Sequence, residues 1–444
     1  MKNKLSAKEN VFIATMLFGL FFGAGNLIFP VYMGQLAGRN VVGAMAGFIV
    51  TGVGLPLLGV VAIGISRSNG LIGLSGKVSP RYRTFFTCAL YLTIGPFFAI
   101  PRCATVPFAV AVSGLFHTQS PVALALFSLA FFAVVLAFSL RPGKILTYVG
   151  KILTPVFLAF LSLLVVVALA RPMGSIAGAA PLDTYGDSAF FTGFLQGYNT
   201  MDALAGLAFG IIVVNVIRTL GVTEPQAVAR CTAKAGVFSC LMMAVIYCAV
   251  TLVGAQSRGA GVVCANGGEV LALVAGTYFG PTGALFLAVT VTLACLKTSV
   301  GLVTSCAETF RALFPHGPQY RTWAVVFSVV SLLIANLGLN EIIAYSLPVL
   351  MLLYPLAITL ILLGIFGRLF ADDRVVYQSV TAFTLLAALF DFFKALPAPV
   401  TTALHLDGAI ALASGYLPLY DLGVGWIVPA LLGLAVGLLR RKKR

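Results

Sequence analysis

The sequence predicts an all-α polytopic membrane protein of twelve transmembrane helices. Its core is a five-plus-five inverted repeat followed by two C-terminal helices, with both termini cytoplasmic. Three observations support this: the composition, the spacing of the apolar runs, and the side on which the basic residues fall. Of 444 residues, 60% are hydrophobic and 9% charged, against about 45–50% and ~25% in a soluble domain. No soluble core hides that much apolar surface. A soluble enzyme, a nucleic-acid-binding protein and a secreted disulfide scaffold are therefore excluded.

A helix crosses the bilayer with about 20 apolar residues. Such runs fall at 9–35, 41–65, 84–115, 120–140, 145–170, 189–217, 230–255, 278–310, 322–338, 342–367, 376–396 and 422–439. The apolar piece 269–278 is too short to cross and is expected at the outer surface. The first run continues past Phe22 without a small-residue cleavage site, so it is expected to stay in the protein. With the N-terminus inside, only Arg39, Arg171, Arg258 and Lys394 fall outside and only Arg102 and Lys297 fall within spans, leaving 22 of 28 Lys and Arg on the inner side. This is the positive-inside bias, and it accounts for the net charge of +15 without nucleic acid. The C-terminal Arg-Arg-Lys-Lys-Arg (440–444) reads as an ordinary inside anchor. Seven of the eight cysteines lie in or beside spans and the three histidines (His117, His316, His405) in separate loops. Neither a disulfide framework, nor a metal site, nor a cofactor is expected.

Two spans are interrupted. In the first, Gly23-Ala24-Gly25-Asn26 places glycines and an amide halfway along the run, before Pro30. In the sixth, Gly197-Tyr198-Asn199-Thr200-Met201-Asp202 does the same and adds an ionisable acid. Backbone leaves helical geometry at membrane depth only where it is buried in protein or lines a cavity, and an intramembrane acid is a functional candidate. The breaks occupy corresponding positions if residues 1–170 and 189–367 are two halves, with 376–439 added. Paired interruptions of this kind point to a secondary transporter with its site at the midplane. Broken helices present N–H groups that attract a carboxylate and carbonyls that attract a cation, which suits a zwitterion plus a small cation.

In the eighth span, Thr298 and Ser299 are expected to turn hydroxyls toward a site, with Cys295 one turn earlier on the same face. Lys297 lies between them and the first half of the span, and a lysine at this depth needs a carboxylate, a cavity or deprotonation. Asp202 is its expected partner. In the third span Arg102 sits among Pro96, Pro101 and Pro107; its guanidinium stays charged and is expected to bind carbonyls freed by the prolines, a structural or gating role.

The segments FGLFFGAGNLIFPVYMGQLAG, GFIVTGVGLPLLGV, IGPFFAIPRCATVPFA, QGYNTMDALAGLAFG and LACLKTSVGL, in this order, resemble the branched-chain amino acid:cation symporters (the LIVCS, or BrnQ-type, family). The resemblance covers essentially the whole chain. It implies a LeuT-like fold of the APC superfamily and uptake of leucine, isoleucine and valine across the bacterial cytoplasmic membrane, coupled to Na+ or H+. By that analogy Gly23, Ala24, Gly25 and Asn26 form the carboxylate end of the substrate site, and Gly197, Tyr198, Asn199, Thr200, Met201 and Asp202 receive the ammonium. Carbonyls of Gly19, Phe22 and Cys295 with the Thr298 and Ser299 hydroxyls match the usual cation position. Lys297 departs from the sodium-coupled pattern: if it enters that pocket, its ammonium replaces sodium and coupling passes to protons through Lys297 and Asp202.

A carrier or exchanger for another neutral or aromatic amino acid is the alternative on the same scaffold. An intramembrane enzyme is disfavoured, since the chain has no HExxH, no GxSxG and no histidine within a span. A channel is disfavoured because one broken helix per half fits alternating access better than a pore. The expected partners are the small-molecule substrate and the lipid bilayer, with no nucleic acid and no obligate protein partner.

Overall fold

A computed structural model describes residues 4–66, 68, 70–112, 120–140 and 158–441. The described residues form an almost wholly helical protein. In chain order the helices are α1 (Ala7–Phe21), α2 (Gly25–Ala37), α3 (Val41–Ile49), α4 (Leu55–Ile65), α5 (Gly70–Gly76), α6 (Pro80–Leu92), α7 (Ala99–Ala111) and α8 (Pro121–Ser139). Next is α9 (Leu158–Ala170). Then come α10 (Ala189–Gln196), α11 (Asp202–Thr219), α12 (Pro225–Gln256), α13 (Gly267–Leu313), α14 (Tyr320–Ala335), α15 (Leu339–Phe366), α16 (Arg374–Ala395), α17 (Ala398–Ala403), α18 (Asp407–Tyr416) and α19 (Ile427–Arg440). Among the described residues, eight helical stretches are long and apolar enough to cross a membrane, and α9, α14 and α19 are shorter apolar helices. The first half of the fifth expected span, 145–157, lies outside the described residues.

Local chemistry sets the helix starts. Ser79 and Ser120 cap α6 and α8 ahead of a proline at the first turn, where the missing N–H costs nothing. Glu224 does the same for α12, and Asn266 Oδ1 accepts from the Gly268 and Glu269 amides at 3.0 and 3.1 Å to open α13.

The apolar piece 269–278, expected to be too short to cross, is a short helical stretch set off from the rest of α13 by non-helical backbone at Gly280. Its residues Val270, Leu271, Val274 and Ala275 are buried, and Gly267 packs on the Ile28 carbonyl of α2. Gly280, at φ 63°, ψ −160°, then bends the helix before Pro281. The glycine-proline pair makes this bend: glycine adopts the positive φ freely, and proline removes a donor. Periodicity reads the two parts as separate because the bend interrupts the apolar stripe.

Long helices pack pairwise: α13 on α7, α11 on α4, α12 on α2, α10 on α3, and α16 between α15 and α19. Two of these seams depend on reciprocal glycines. A Cβ on Gly34 of α2 would overlap the Thr251 carbonyl of α12, and one on Gly254 of α12 would overlap the Val31 carbonyl of α2. Gly47 and Gly193 stand in the same relation to Phe190 and Ala44 between α3 and α10. Small residues permit such close approach, which drives association where lipid is as apolar as leucine.

Gly34→Ala is therefore expected to lose roughly 1–3 kcal/mol, since overpacking against backbone has no side chain to displace. Gly301→Ala meets nothing within 4 Å and is expected to leave stability unchanged. Thermal unfolding of the two variants in detergent checks this, and equal melting temperatures would refute the close-packed seam.

Candidate substrate site

Both expected breaks are present, and they meet. Helix α1 ends at Phe21, Phe22 is extended at φ −72°, ψ 103°, and α2 restarts at Gly25. The Gly23 N–H, orphaned by the break, donates to Asn26 Oδ1 at 2.7 Å. In the sixth span α10 gives way to a 3₁₀ turn over Gly197–Thr200, Met201 turns left-handed at φ 61°, and α11 opens at Asp202. A buried non-glycine residue at positive φ costs of order 1–3 kcal/mol and persists only where its surroundings fix it. A Cβ built on Gly25 would lie 3.6 Å from Thr200 Cα, so the two breaks touch through their backbones.

Asp202 joins them. It is 2% exposed. Its Oδ2 accepts from Asn26 Nδ2 at 2.6 Å and from the Tyr247 hydroxyl of α12 at 2.8 Å, while Asn26 and Tyr247 also contact each other. The carboxylate expected to pair with Lys297 thus takes neutral donors, and no ion pair joins the two among the described residues. The lysine Nζ lies elsewhere, 3.4 Å from where a Cβ of Gly19 would stand. Its place follows from helical phase: successive residues are ~100° apart, so Lys297 faces α1 while Thr298 faces Gly23.

Arg102 of α7 secures the second break. Its Nη1 donates to the Asn199 carbonyl at 2.8 Å, its Nη2 donates to Ser346 Oγ of α15, and its guanidinium lies 5.1 Å from the Phe29 ring centroid. The carbonyl it binds belongs to the sixth-span break, not to the prolines of its own span. Proline spacing signals freed carbonyls close by in sequence, and the fold brings a more distant one within reach.

These groups line a small cavity of ≈ 50 Å³. Its polar rim holds Gly23–Asn26, Asn199–Asp202, Arg102 and Thr298, and its walls include Ile94, Phe209 and Leu302. At one end the first amides of α2 point out of the helix without an intrahelical acceptor. At the other lie the backbone of the 3₁₀ turn and the Asp202 carboxylate. Gly197 and Tyr198 sit behind the rim. A Cβ on Gly197 would collide with Thr51, whose hydroxyl donates to the Phe194 carbonyl at 2.7 Å, and Tyr198 stacks on Tyr354 with centroids 4.0 Å apart.

Of the residues expected around a cation, Thr298 lies against Gly23 at the end of α1. The Thr298 hydroxyl donates to the Ala294 carbonyl at 3.1 Å, the back-bond common for threonine in membrane helices. Cys295 and Ser299 are buried and face the Cys103 thiol of α7. Gly19 and Phe22 remain at the end of α1 beside Lys297 and Gly23.

Sequence reasoning missed Tyr247, Ser346, Tyr354 and Asp391. A tyrosine within an apolar run was the available signal for Tyr247 and Tyr354. Asp391, near the end of α16, is 3% exposed. Neither of its carboxylate oxygens meets a hydrogen-bond donor among the described residues.

The fold is shared with solved transporters. It matches the inward-facing conformation of Mhp1 with a TM-score of 0.61 at 17% identity, covering 97% of this chain and 90% of that one; Mhp1 is a nucleobase-cation-symport-1 family transporter. It matches MhsT in complex with L-phenylalanine with a TM-score of 0.53 at 15% identity, covering 99% and 98%. These likenesses show a shared LeuT-like helical fold, whose long apolar helices suit a membrane. The chain belongs to the family of branched-chain amino acid transport proteins, whose pattern it matches over residues 6–444. It is 52% identical over 449 residues to the branched-chain amino acid permease BrnQ of Lactobacillus delbrueckii subsp. lactis, covering 100% of both. It is 46% identical to BrnQ of Bacillus subtilis, covering 98% of this chain and 97% of that one.

Asp202→Asn keeps the volume and lets an amide oxygen accept from Asn26 and Tyr247 where Oδ2 did, but it removes the negative charge and puts a donor in place of Oδ1. It is expected to abolish or severely reduce uptake, with membrane insertion unchanged. Gly25→Val drives a branched side chain against Phe29 and Thr200 and is expected to block substrate binding. Near-normal uptake in the first variant, or unchanged leucine affinity in the second, would remove that residue from the site.

Proposed function

We propose that the protein is a secondary active symporter that imports leucine, isoleucine and valine across the bacterial cytoplasmic membrane by alternating access. The observation that carries this reading is the meeting of two broken helices around one cavity with amides at one end and a carboxylate at the other. The family membership and the names of the relatives support the substrate class. In this reading the substrate carboxylate lies against the amides of Gly23–Asn26, chiefly those of the α2 N-terminus, because Gly23 N–H is already engaged by Asn26. Its ammonium lies between Asp202 and the carbonyls of the Tyr198–Asp202 break, and the branched side chain lies on Ile94, Phe209 and Leu302. One methylene is worth only ~1–3 kcal/mol in such a pocket, so the three amino acids compete. Gly197 and Arg102 hold the second break in shape. The chain crosses twelve times with both ends inside, and residues 1–170 and 189–367 act as inverted halves, with 376–439 outside the exchange.

The coupling ion follows from Lys297. Its ammonium lies against Gly19, at the end of α1 where a sodium-coupled carrier would hold its cation with Gly19, Phe22, Cys295, Thr298 and Ser299. A resident ammonium there supplies the positive charge itself, which favours protons as the coupling ion, with Lys297 and Asp202 as the groups that exchange them.

Radiolabelled leucine uptake into proteoliposomes under separately imposed sodium and proton gradients tests both parts. Proton-driven uptake is expected, competed by isoleucine and valine, and Lys297→Thr is expected to make uptake sodium-dependent. Sodium-driven uptake by the native protein would overturn the role given to Lys297. Accumulation of another amino acid class, with no leucine under either gradient, would overturn the substrate.

A further inference from the structure

We propose that the groove between α15 and α19 binds one anionic phospholipid, with an acyl chain along the groove and the phosphate at Arg441 and Arg440. The groove has a volume of ≈ 610 Å³ and lies away from the substrate cavity; its apolar lining includes Leu362, Phe366 and Leu369 on one side and Ile427, Leu431 and Leu438 on the other. Leu369 is 77% and Leu431 60% exposed, so the protein itself leaves this apolar surface open to the bilayer.

The dimensions identify what fits. From Ile427 to Leu438 the helix rises about 16 Å at 1.5 Å per residue, close to half the ~30 Å hydrocarbon core. The groove is thus one leaflet deep, the length of a single lipid chain from headgroup to midplane, and too short for a spanning helix of a partner. Its end is basic. Arg441 lines the groove, Arg440 closes α19, and Arg368 is exposed in the Gly367–Phe370 turn that carries Leu369.

The acids of the adjoining turn are already engaged. Asp372 pairs with Lys77 at 2.8 Å and accepts from the Tyr377 hydroxyl at 2.9 Å, and Asp373 accepts from the Val375 amide at 2.8 Å to cap α16. The guanidinium groups at the groove end therefore keep their charge for a phosphate, which they bind through paired N–H donors. A zwitterionic lipid offers the same chain, but its headgroup cation faces these arginines. Each basic residue near an anionic lipid surface contributes about 1 kcal/mol, so two arginines give a preference of roughly tenfold or more. The C-terminal arginines are then more than an anchor: the groove turns a charge bias into a site for one lipid.

Native mass spectrometry of the purified full-length protein tests this, with phosphatidylglycerol, phosphatidylcholine and inorganic phosphate offered separately. The expected result is one retained phosphatidylglycerol, held about tenfold more tightly than phosphatidylcholine, with inorganic phosphate not retained. Arg440→Gln with Arg441→Gln is expected to remove the headgroup preference. Ala430→Phe, which fills the groove and keeps the arginines, is expected to remove retention of both lipids; thermal unfolding confirms that each variant is folded. Equal retention of the two lipids, retention unchanged in folded variants, binding of inorganic phosphate alone, or a dimer of this chain that buries the groove would each overturn the proposal. None of these readouts depends on leucine transport, so the proposal and the transport reading fail separately.

Discussion

Everything at the site depends on one requirement: backbone that leaves the helix inside a membrane must find partners in the protein. Breaking a helix at this depth exposes amides and carbonyls that hydrocarbon cannot satisfy. Here the two breaks satisfy each other's needs. Asn26 takes the Gly23 amide with its carbonyl oxygen and gives its amide hydrogens to Asp202 and Tyr247, so one side chain closes the first break and reaches the second. Arg102 does the complementary work from α7, donating to the Asn199 carbonyl. Left between them are the outward amides of α2 and the open end of the 3₁₀ turn, which is the polarity a zwitterion needs.

This arrangement also explains why the surrounding seams are so close. Asp202 meets Tyr247 only because α12 lies against α2 at glycine distance, through Gly34 and Gly254. The sixth-span break holds its shape because Gly197 lets Thr51 approach and because Tyr198 stacks on Tyr354. Arg102 spans from α7 to α15 through Ser346. The strained φ of Met201 is held by these contacts together, as a left-handed residue inside a packed protein must be.

Most of the fold and half of the site were legible in the sequence, for separable reasons. Apolar run length and basic flanks report on crossing a bilayer, and glycine with asparagine or aspartate inside a run reports a break; both signals are local. Partners were not legible, because they depend on which helices become neighbours. Lys297 and Asp202 are opposite charges in spans and were natural partners in one dimension, yet the fold sends the lysine to Gly19 and gives the acid to Asn26 and Tyr247. Arg102 was placed on local proline carbonyls and instead reaches Asn199. Residues 269–278 read as a piece too short to cross, and the glycine-proline kink does set them off from the rest of α13. Tyr247 and Ser346 carry ordinary side chains whose importance comes only from what they face.

The central claim is that an amino acid sits between the two breaks, with its carboxylate at α2 and its ammonium at Asp202. A structure of the protein saturated with leucine tests it most directly. The account predicts leucine density within hydrogen-bonding distance of the Gly25 or Asn26 amide and of Asp202 or the Tyr198–Asp202 carbonyls, its side chain on Ile94, Phe209 and Leu302. Leucine found instead in the separate recess lined by Thr105, Asn266 and Asn340, with the space between the breaks empty, would contradict it.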